Sequence, residues 1–120
     1  MLKVISSFIV FGLVGLAPVT AKAVSGCSLV SHYGVGDGYH GRTTASGERY
    51  NAYKKSVAHR WLPFGTKLKV TNPRNGKSVV VRVNDRGPYV DGRTLDLSYG
   101  AFSSIAHPGQ GVLSVCYAQL

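Results

Sequence analysis

The clearest pattern along the chain is an alternation of apolar and polar residues that surrounds a tight turn. Thr66–Thr71 alternates as a half-buried strand does, and the apolar run Lys77–Val83 follows a few residues later. Between them lies Asn75-Gly76, a dipeptide that tolerates the positive φ angles of a hairpin turn. The pattern predicts a β-hairpin over residues 66–83.

Three further apolar stretches predict strands, at Ser28–Tyr33, around Leu95–Leu97 and at Val112–Tyr117. Ser98 is placed to cap a short helix, which Pro108 would end. Many short strands with one or two short helices, without repeats, are typical of a small closed β-barrel. The predicted fold class is therefore mainly β.

The first 23 residues have the pattern of an export signal rather than of a folded element. Lys3 precedes a mostly apolar run, Phe8–Val19, and Ala21-Lys22-Ala23 forms a small-residue cleavage site. The run is too short for a membrane span, which needs about 20 residues. We expect a signal peptide at 1–23, one domain at 24–120, no stable membrane span, and export to the periplasm or medium.

The charge balance limits the classes of binding partner that can be expected. The chain has a net charge of +9, and without Lys3 and Lys22 twelve basic side chains remain against five acidic ones. Such a charge favours polyanionic partners. Because no interleaved basic and aromatic motif of a nucleic-acid-binding domain is present, cell-wall polymers are the expected partners rather than nucleic acid.

The two cysteines, Cys27 and Cys116, allow two interpretations. In an exported protein an even pair favours a disulfide. Val24–Cys27 also resembles a lipobox, which would make the protein an outer-membrane lipoprotein anchored through Cys27. The disulfide is favoured because Lys22 interrupts the lipobox pattern and lipidation would leave Cys116 as an odd thiol.

Only five carboxylates are available for acid–base chemistry, and three of them lie between residues 83 and 98. Cleavage of a glycosidic bond needs a carboxylic acid and usually a second carboxyl group. Asp85 follows a valine-rich strand, so it is either such an acid or a turn residue bonded within its own loop. The other four are Asp37, Glu48, Asp91 and Asp96, of which Asp37 and Asp91 read as loop residues.

Other candidate side chains are polar or aromatic. His59 is the histidine nearest to groove candidates, and no cysteine or histidine spacing is typical of a zinc site. Aromatic rings are suited to stack on sugars, although they serve equally as core or rim residues. The candidates for substrate binding are Tyr50, Trp61, Tyr89, Arg42 and Arg86.

Several sequence blocks then occur in a recognisable order. They read YG at 33–34, HGRTTASGE at 40–48, AHRWLPFGT at 58–66, VRVNDRGP at 81–88 and RTLDLS at 93–98. Together they cover nearly all of the mature chain, and they resemble the rare lipoprotein A family of septal-ring lytic transglycosylases.

The resemblance implies a six-stranded double-psi β-barrel, shared with expansins and barwin-like proteins. It implies endolytic cleavage of peptidoglycan between N-acetylmuramic acid and N-acetylglucosamine, with formation of a 1,6-anhydro ring, a preference for glycan strands without stem peptides, and no cofactor. The family's functional acids fall on Glu48 and Asp85 and its functional histidine on His59, while Asp96 resembles the essential expansin aspartate.

Two other functions are compatible with the same sequence. One is a non-catalytic, expansin-like module that binds cell-wall glycan through the same groove. The other is a secreted barwin-like inhibitory protein. The sequence shows no counterpart of the repeat domain with which larger family members bind peptidoglycan, so we expect a minimal, single-barrel form.

Overall fold

The computed structural model describes residues 23–120, so the predicted signal peptide lies outside the described part apart from its last residue. None of the helices in that part is long and apolar enough to cross a membrane. The strands are β1 (Ser25–Tyr33), β2 (Ser56–His59), β3 (Lys67–Thr71), β4 (Ser78–Asp85), β5 (Arg93–Ser98) and β6 (Val112–Gln119). Helix α1 (Tyr99–Ile105) and a 3-10 turn (Pro108–Gln110) lie between β5 and β6.

The six strands close into a barrel in the order β1-β5-β2-β4-β3-β6. Two neighbouring pairs, β1 with β5 and β2 with β4, run parallel, and the remaining pairs are antiparallel. Closure leaves no unpaired edge strand within the described residues. The predicted small β-barrel with one or two short helices is confirmed.

The barrel interior is filled by aliphatic side chains that alternate along the strands. In β4 the inward positions are Val79, Val81 and Val83, while Val80 and Arg82 are exposed. The alternation follows from the two-residue period of a strand, which sends successive side chains to opposite faces. The predicted hairpin of β3 and β4 is confirmed with the register Leu68 opposite Val81.

Helix α1 covers one end of this core. Ser98 caps the helix, since its Oγ accepts a hydrogen bond from the N–H of Ala101. Phe102 and Ile105 are completely buried among the core aliphatics. At the C-terminus of the helix, Nδ2 of Asn72 donates to the carbonyl of Ile105 over 2.8 Å, so the turn of the hairpin is tied to the helix.

Strand β2 was not predicted from the sequence. It has four residues, all buried, and it pairs with both β4 and β5. A strand that is buried on both faces shows no apolar–polar alternation, which is the signal that identifies a half-buried strand. The polar residues at its two ends, Ser56 and His59, make the strand still harder to recognise in the sequence.

The predicted disulfide is confirmed. Cys27 and Cys116 face each other directly in the antiparallel pair of β1 and β6. The bond closes a loop with a sequence separation of 89 residues, almost the whole described domain. It therefore joins the first and last strands of the barrel covalently.

Removal of this disulfide is expected to lower the free energy of unfolding by about 3–5 kcal/mol, because a loop of this length strongly restricts the unfolded chain. The measurement is urea unfolding of residues 24–120 with both cysteines replaced by alanine. The six-strand barrel should still form, as judged by circular dichroism. A loss below about 1 kcal/mol would contradict this role of the bond.

Candidate active site

Two of the predicted acids lie on either side of one small residue. In the sheet register Ala58 of β2 is opposite Asp85 of β4 on one side and opposite Asp96 of β5 on the other. Residues paired across strands point to the same face, and two strand spacings separate the backbones of the two acids by about 10 Å. Ala58, which has only a methyl side chain and is buried, therefore lies between the two carboxylates of the candidate groove.

The Asp85 carboxylate is held by three hydrogen-bond donors. Oδ1 accepts from the backbone N–H groups of Ala45 and Arg86, each over 3.0 Å. Oδ2 accepts from the hydroxyl of Tyr33 over 2.9 Å. A carboxylate oxygen has two lone-pair positions, so Oδ1 is saturated and Oδ2 keeps one position free. Asp85 is thus a fixed carboxylate with one oxygen available to a ligand.

Tyr33 is a partner of Asp85 that the sequence indicated only as the end of a predicted strand and as part of the YG block. Its ring stacks on Tyr50 with centroids 4.5 Å apart, and the Tyr50 hydroxyl donates to the Tyr33 carbonyl over 2.8 Å. Burial, followed by the nearby charge of Asp85, raises the pKa of the Tyr33 hydroxyl far above its ordinary value. The phenol therefore stays protonated and remains a donor.

The close packing of this pair depends on Gly34. Its φ angle is +115°, and a Cβ atom at this position would lie 2.5 Å from Cβ of Ala52. Any larger residue would strain the backbone and push against the tyrosine pair. The block YG at 33–34 in the sequence is the signal that could have linked Tyr33 to the site.

Asp96 is the second carboxylate of the groove. Its Oδ1 accepts from the Ser31 hydroxyl over 2.9 Å, and the Arg93 guanidinium donates to that same hydroxyl over 3.2 Å. Burial raises the pKa of Asp96 above its ordinary value, although Ser31 and the charge of Arg93 oppose the shift. The raised pKa reflects a carboxyl group that is poorly hydrated, in contrast to a surface carboxylate.

Glu48 lies on a loop beside the end of β4. Its Oε1 accepts from the Asn84 amide and the Arg82 guanidinium, each over 2.6 Å. The hydrogen bond from Asn84 lowers the pKa of Glu48, and Arg82 lowers it further against a partial desolvation. The same loop reaches Asp85 through the N–H of Ala45, so Glu48 and Asp85 are held by one loop without touching each other.

The structure places His59 in a supporting position. The side chain is 1% exposed, and Nδ1 accepts from the backbone N–H groups of Trp61 and Leu62, each over 3.1 Å. An acceptor nitrogen cannot carry a proton, and burial together with the charges of Arg86 and Arg60 lowers the pKa of His59. His59 is therefore a neutral cap for the turn that follows β2.

Two arginines tie the loops around the groove together. The Arg86 guanidinium donates to the carbonyls of His59 and Leu62 and lies 3.9 Å from the centroid of the Phe64 ring. Arg60 donates to the carbonyl of Pro88 over 2.6 Å. These bonds cross-link the loop after β2 and the loop after β4, which gives Arg86 a structural part besides its predicted contact with substrate.

The predicted substrate-binding residues separate into two groups. Trp61 and Tyr89 are 64% and 75% exposed, so their rings are free to contact a sugar. Arg42 is also exposed and lies over the ring of Tyr39 at 5.7 Å. Tyr50, in contrast, is only 2% exposed, and its ring stacks on the ring of Tyr33.

A cleft of about 710 Å³ opens beside Glu48 rather than over Asp85. Glu48, Asn84 and Arg82 are among the residues that line it. Three basic residues from the segment 49–55 also line it, namely Arg49, Lys54 and Lys55. Among residues 23–120 no group of three or more histidine, cysteine, aspartate or glutamate side chains is arranged to hold a metal ion.

Comparisons with known proteins identify the family that this chain matches. The model of the lytic transglycolase family matches residues 29–117. A Nostoc sp. protein named probable endolytic peptidoglycan transglycosylase RlpA is 56% identical over 87 residues, which are 72% of this chain and 24% of that relative. The chain therefore spans about a quarter of the length of this curated relative.

Solved structures share the barrel. Streptomyces papain inhibitor aligns with a TM-score of 0.65 and 23% identity, over 80% of this chain and 93% of its own, which shows the fold alone. An expansin variant from Clavibacter michiganensis in complex with cellohexaose aligns with a TM-score of 0.63 and 25% identity, over 81% of this chain and 50% of its own.

The closed mixed barrel with two parallel strand pairs, shared with these structures, defines a double-psi β-barrel protein. The chain belongs to the lytic transglycolase family, as its resemblance to the rare lipoprotein A family predicted.

The cap made by His59 can be tested by unfolding. His59→Phe keeps a ring but leaves two backbone N–H groups without an acceptor, so we expect a loss of about 2 kcal/mol at pH 7. Because the folded-state pKa of His59 is lowered, the wild type itself loses stability as the pH falls below 6.5. The gap between the two proteins should narrow from pH 7 to pH 5, and a constant gap would contradict the neutral cap.

The opposite pKa shifts of two acids give a paired test in urea unfolding. The raised pKa of Asp96 means that ionisation disfavours folding, so Asp96→Asn should gain stability relative to wild type as the pH rises from 3 to 7. The lowered pKa of Glu48 means the reverse, so Glu48→Gln should lose about 0.5 kcal/mol relative to wild type above pH 4.5. Shifts of the same sign in both variants would contradict the two environments.

Proposed function

We propose that this protein is an endolytic lytic transglycosylase that cleaves peptidoglycan between N-acetylmuramic acid and N-acetylglucosamine. The observation that carries the proposal is the Asp85 carboxylate, fixed by three donors at the end of β4 with one position on Oδ2 free. Names of relatives that act on peptidoglycan support the same substrate class.

Asp85 would act first as the general acid, with a proton at the free position of Oδ2, and then as the general base. Its Oδ2 proton goes to the glycosidic oxygen as the bond from this oxygen to C1 of the muramic acid breaks. The 6-hydroxyl of the same sugar then bonds to C1 and returns its proton to Oδ2, which closes the 1,6-anhydro ring. No water is consumed, and Asp85 recovers its initial protonation state.

The neighbouring groups would serve this step without taking the proton. The Tyr33 hydroxyl and the N–H groups of Ala45 and Arg86 keep Asp85 in one orientation, as positioning groups do. Glu48 would position substrate or stabilise the positive charge that develops at C1. Asp96, on the far side of Ala58, would contribute the second carboxylate of the groove.

The rings exposed near the groove support a sugar-binding role. Trp61 packs edge-on against His59 with centroids 5.0 Å apart, so its orientation depends on the capped turn. Tyr89 projects from the loop that Arg60 ties to the turn. These two side chains would stack on sugars, and Arg42 and Arg86 would meet anionic groups of the glycan strand.

The same proposal includes export. The Cys27–Cys116 disulfide is suited to an oxidising compartment such as the periplasm or the external medium. Peptidoglycan strands would then be the partner, and the positive net charge would favour association with them.

A second candidate is a module that binds cell-wall glycan without cleaving it. The similarity to an expansin solved with cellohexaose favours it, because that protein shares the barrel and holds a glycan chain. The groove residues named above would then serve binding alone. The two candidates differ in one product, the 1,6-anhydro end.

Asp85→Asn tests the leading proposal. We expect it to reduce 1,6-anhydro products from glycan strands without stem peptides at least about 1,000-fold, since an amide cannot deliver the proton. Mass spectrometry of the digest measures the products, and circular dichroism verifies the fold. Asp91→Asn is the matched control, because Asp91 is an exposed aspartate of the following loop. Wild-type yield from Asp85→Asn, or no anhydro product from the unchanged protein, would reject the proposal.

A further inference from the structure

The cleft beside Glu48 has a charge that the proposed reaction does not use. Its walls carry four cationic side chains and one carboxylate: Arg49, Lys54, Lys55 and Arg82 against Glu48. Arg82 and Glu48 form an ion pair, the only one found within residues 23–120. Arg49, Lys54 and Lys55 therefore have no carboxylate partner in the described part of the chain, although all three line the same cleft.

This clustering has an electrostatic cost that a ligand can offset. Like charges repel, and a cleft lined by four cations and one carboxylate carries a net positive charge that attracts anions. The charge of Lys54 helps slightly to lower the pKa of Glu48, so this lysine is within electrostatic reach of the site. An anionic group in the cleft would lower the repulsion and meet several donors at once.

The backbone that carries Lys54 and Lys55 is also held in place. The carbonyl of Lys54 accepts from the Ser98 hydroxyl at the cap of α1, and the carbonyl of Lys55 accepts from the N–H of Arg82 over 3.4 Å. These bonds fix the backbone of the two lysines against the helix and β4. The cations therefore project from a fixed backbone rather than from a loose loop.

Two buried polar atoms at the same cleft lack partners. Among the described residues, Oγ of Ser56 and Oδ1 of Asn84 are buried without a hydrogen bond, and both residues line the cleft. Buried polar atoms without partners are uncommon and costly. Both atoms are enclosed by the protein, so neither is assigned a contact with a ligand in the cleft.

The geometry points to a carboxylate-binding subsite formed by Arg49, Lys54 and Lys55, which takes an acidic group of the glycan next to the bond at Asp85. This inference rests on the proposed function for its choice of ligand. In peptidoglycan the acidic groups are carboxylates, carried either by the lactyl group of a muramic acid without its peptide or by the stem peptide itself. The loop of residues 45–48 joins the cleft to the site, because the N–H of Ala45 donates to Asp85 while Glu48 lines the cleft.

The test measures affinity rather than cleavage. All proteins carry Asp85→Asn, so that bound strands stay intact. The cleft variant changes Arg49, Lys54 and Lys55 to glutamine. The control variant changes Lys69, Arg74 and Lys77 to glutamine, since these residues are exposed on β3 and the hairpin turn, do not line the cleft, and remove the same charge.

Three glycan probes are compared by isothermal titration calorimetry: strands without peptides, the same strands with carboxyls converted to methyl esters, and strands with stem peptides. We expect the cleft variant to bind at least one carboxylate-bearing probe about tenfold more weakly, and the control variant to change about twofold or less. The methyl-ester strands should bind all proteins alike. The probe that loses affinity identifies the lactyl or the peptide carboxylate as the ligand.

Equal losses in the cleft and control variants would overturn the subsite, because a general charge effect would explain them. An unchanged affinity of the cleft variant, or an equal loss on the methyl-ester strands, would overturn it too. A failure of the proposed function is distinguishable, because it would be seen as absence of anhydro products from the protein with Asp85 intact, whereas the affinities do not depend on cleavage.

Discussion

The hydrogen bond between the Tyr33 hydroxyl and Asp85 is the contact on which the site depends. It connects the end of β1 to the end of β4, two strands that are not neighbours in the barrel. Around it lie the Tyr50 ring, which stacks on Tyr33, and Gly34, which leaves room for that stacking. A phenol whose pKa is strongly raised by burial is a permanent donor, so Asp85 keeps its orientation over the whole working pH range.

The acids around this contact differ in environment although they lie in one region. Asp96 is poorly hydrated and its pKa is raised, whereas Glu48 accepts two strong donors and its pKa is lowered. The two environments therefore differ in how strongly each favours the charged form of its carboxyl group. His59, predicted only as a functional histidine, acts on the site indirectly through the turn that carries Trp61.

The sequence predicted the parts of this protein that depend on local patterns. The hairpin of β3 and β4 followed from alternation and an Asn-Gly turn, and the helix followed from its Ser98 cap. Strand β2 was missed, because a short strand buried on both faces has no alternation to detect. The disulfide was favoured from cysteine count, but its directly opposed register is a property of the closed barrel.

The candidate site was predicted in its residue types and not in its contacts. Ordered motifs indicated Asp85, Glu48, His59 and Asp96, yet which of them touch depends on long-range pairings such as Ala58 with both aspartates. Tyr50 was expected on the surface and lies inside, since aromatic residues serve in both places and the sequence alone does not separate them. The basic cleft combines β4 with residues up to 36 positions away, a distance at which local patterns carry no information.

The position of the disulfide has a mechanical consequence. Ser25 at the start of β1 is paired with Ala118 near the end of β6, so flanking chain on either side leaves the barrel from the same place. Tension applied through such flanking segments would break the backbone pairings of β1 with β6 one after another, starting at the chain ends. Only the contacts of Val24, Ser25 and Gly26 with β6 could separate before the force reached the covalent link at Cys27, beyond which the candidate site would bear no load.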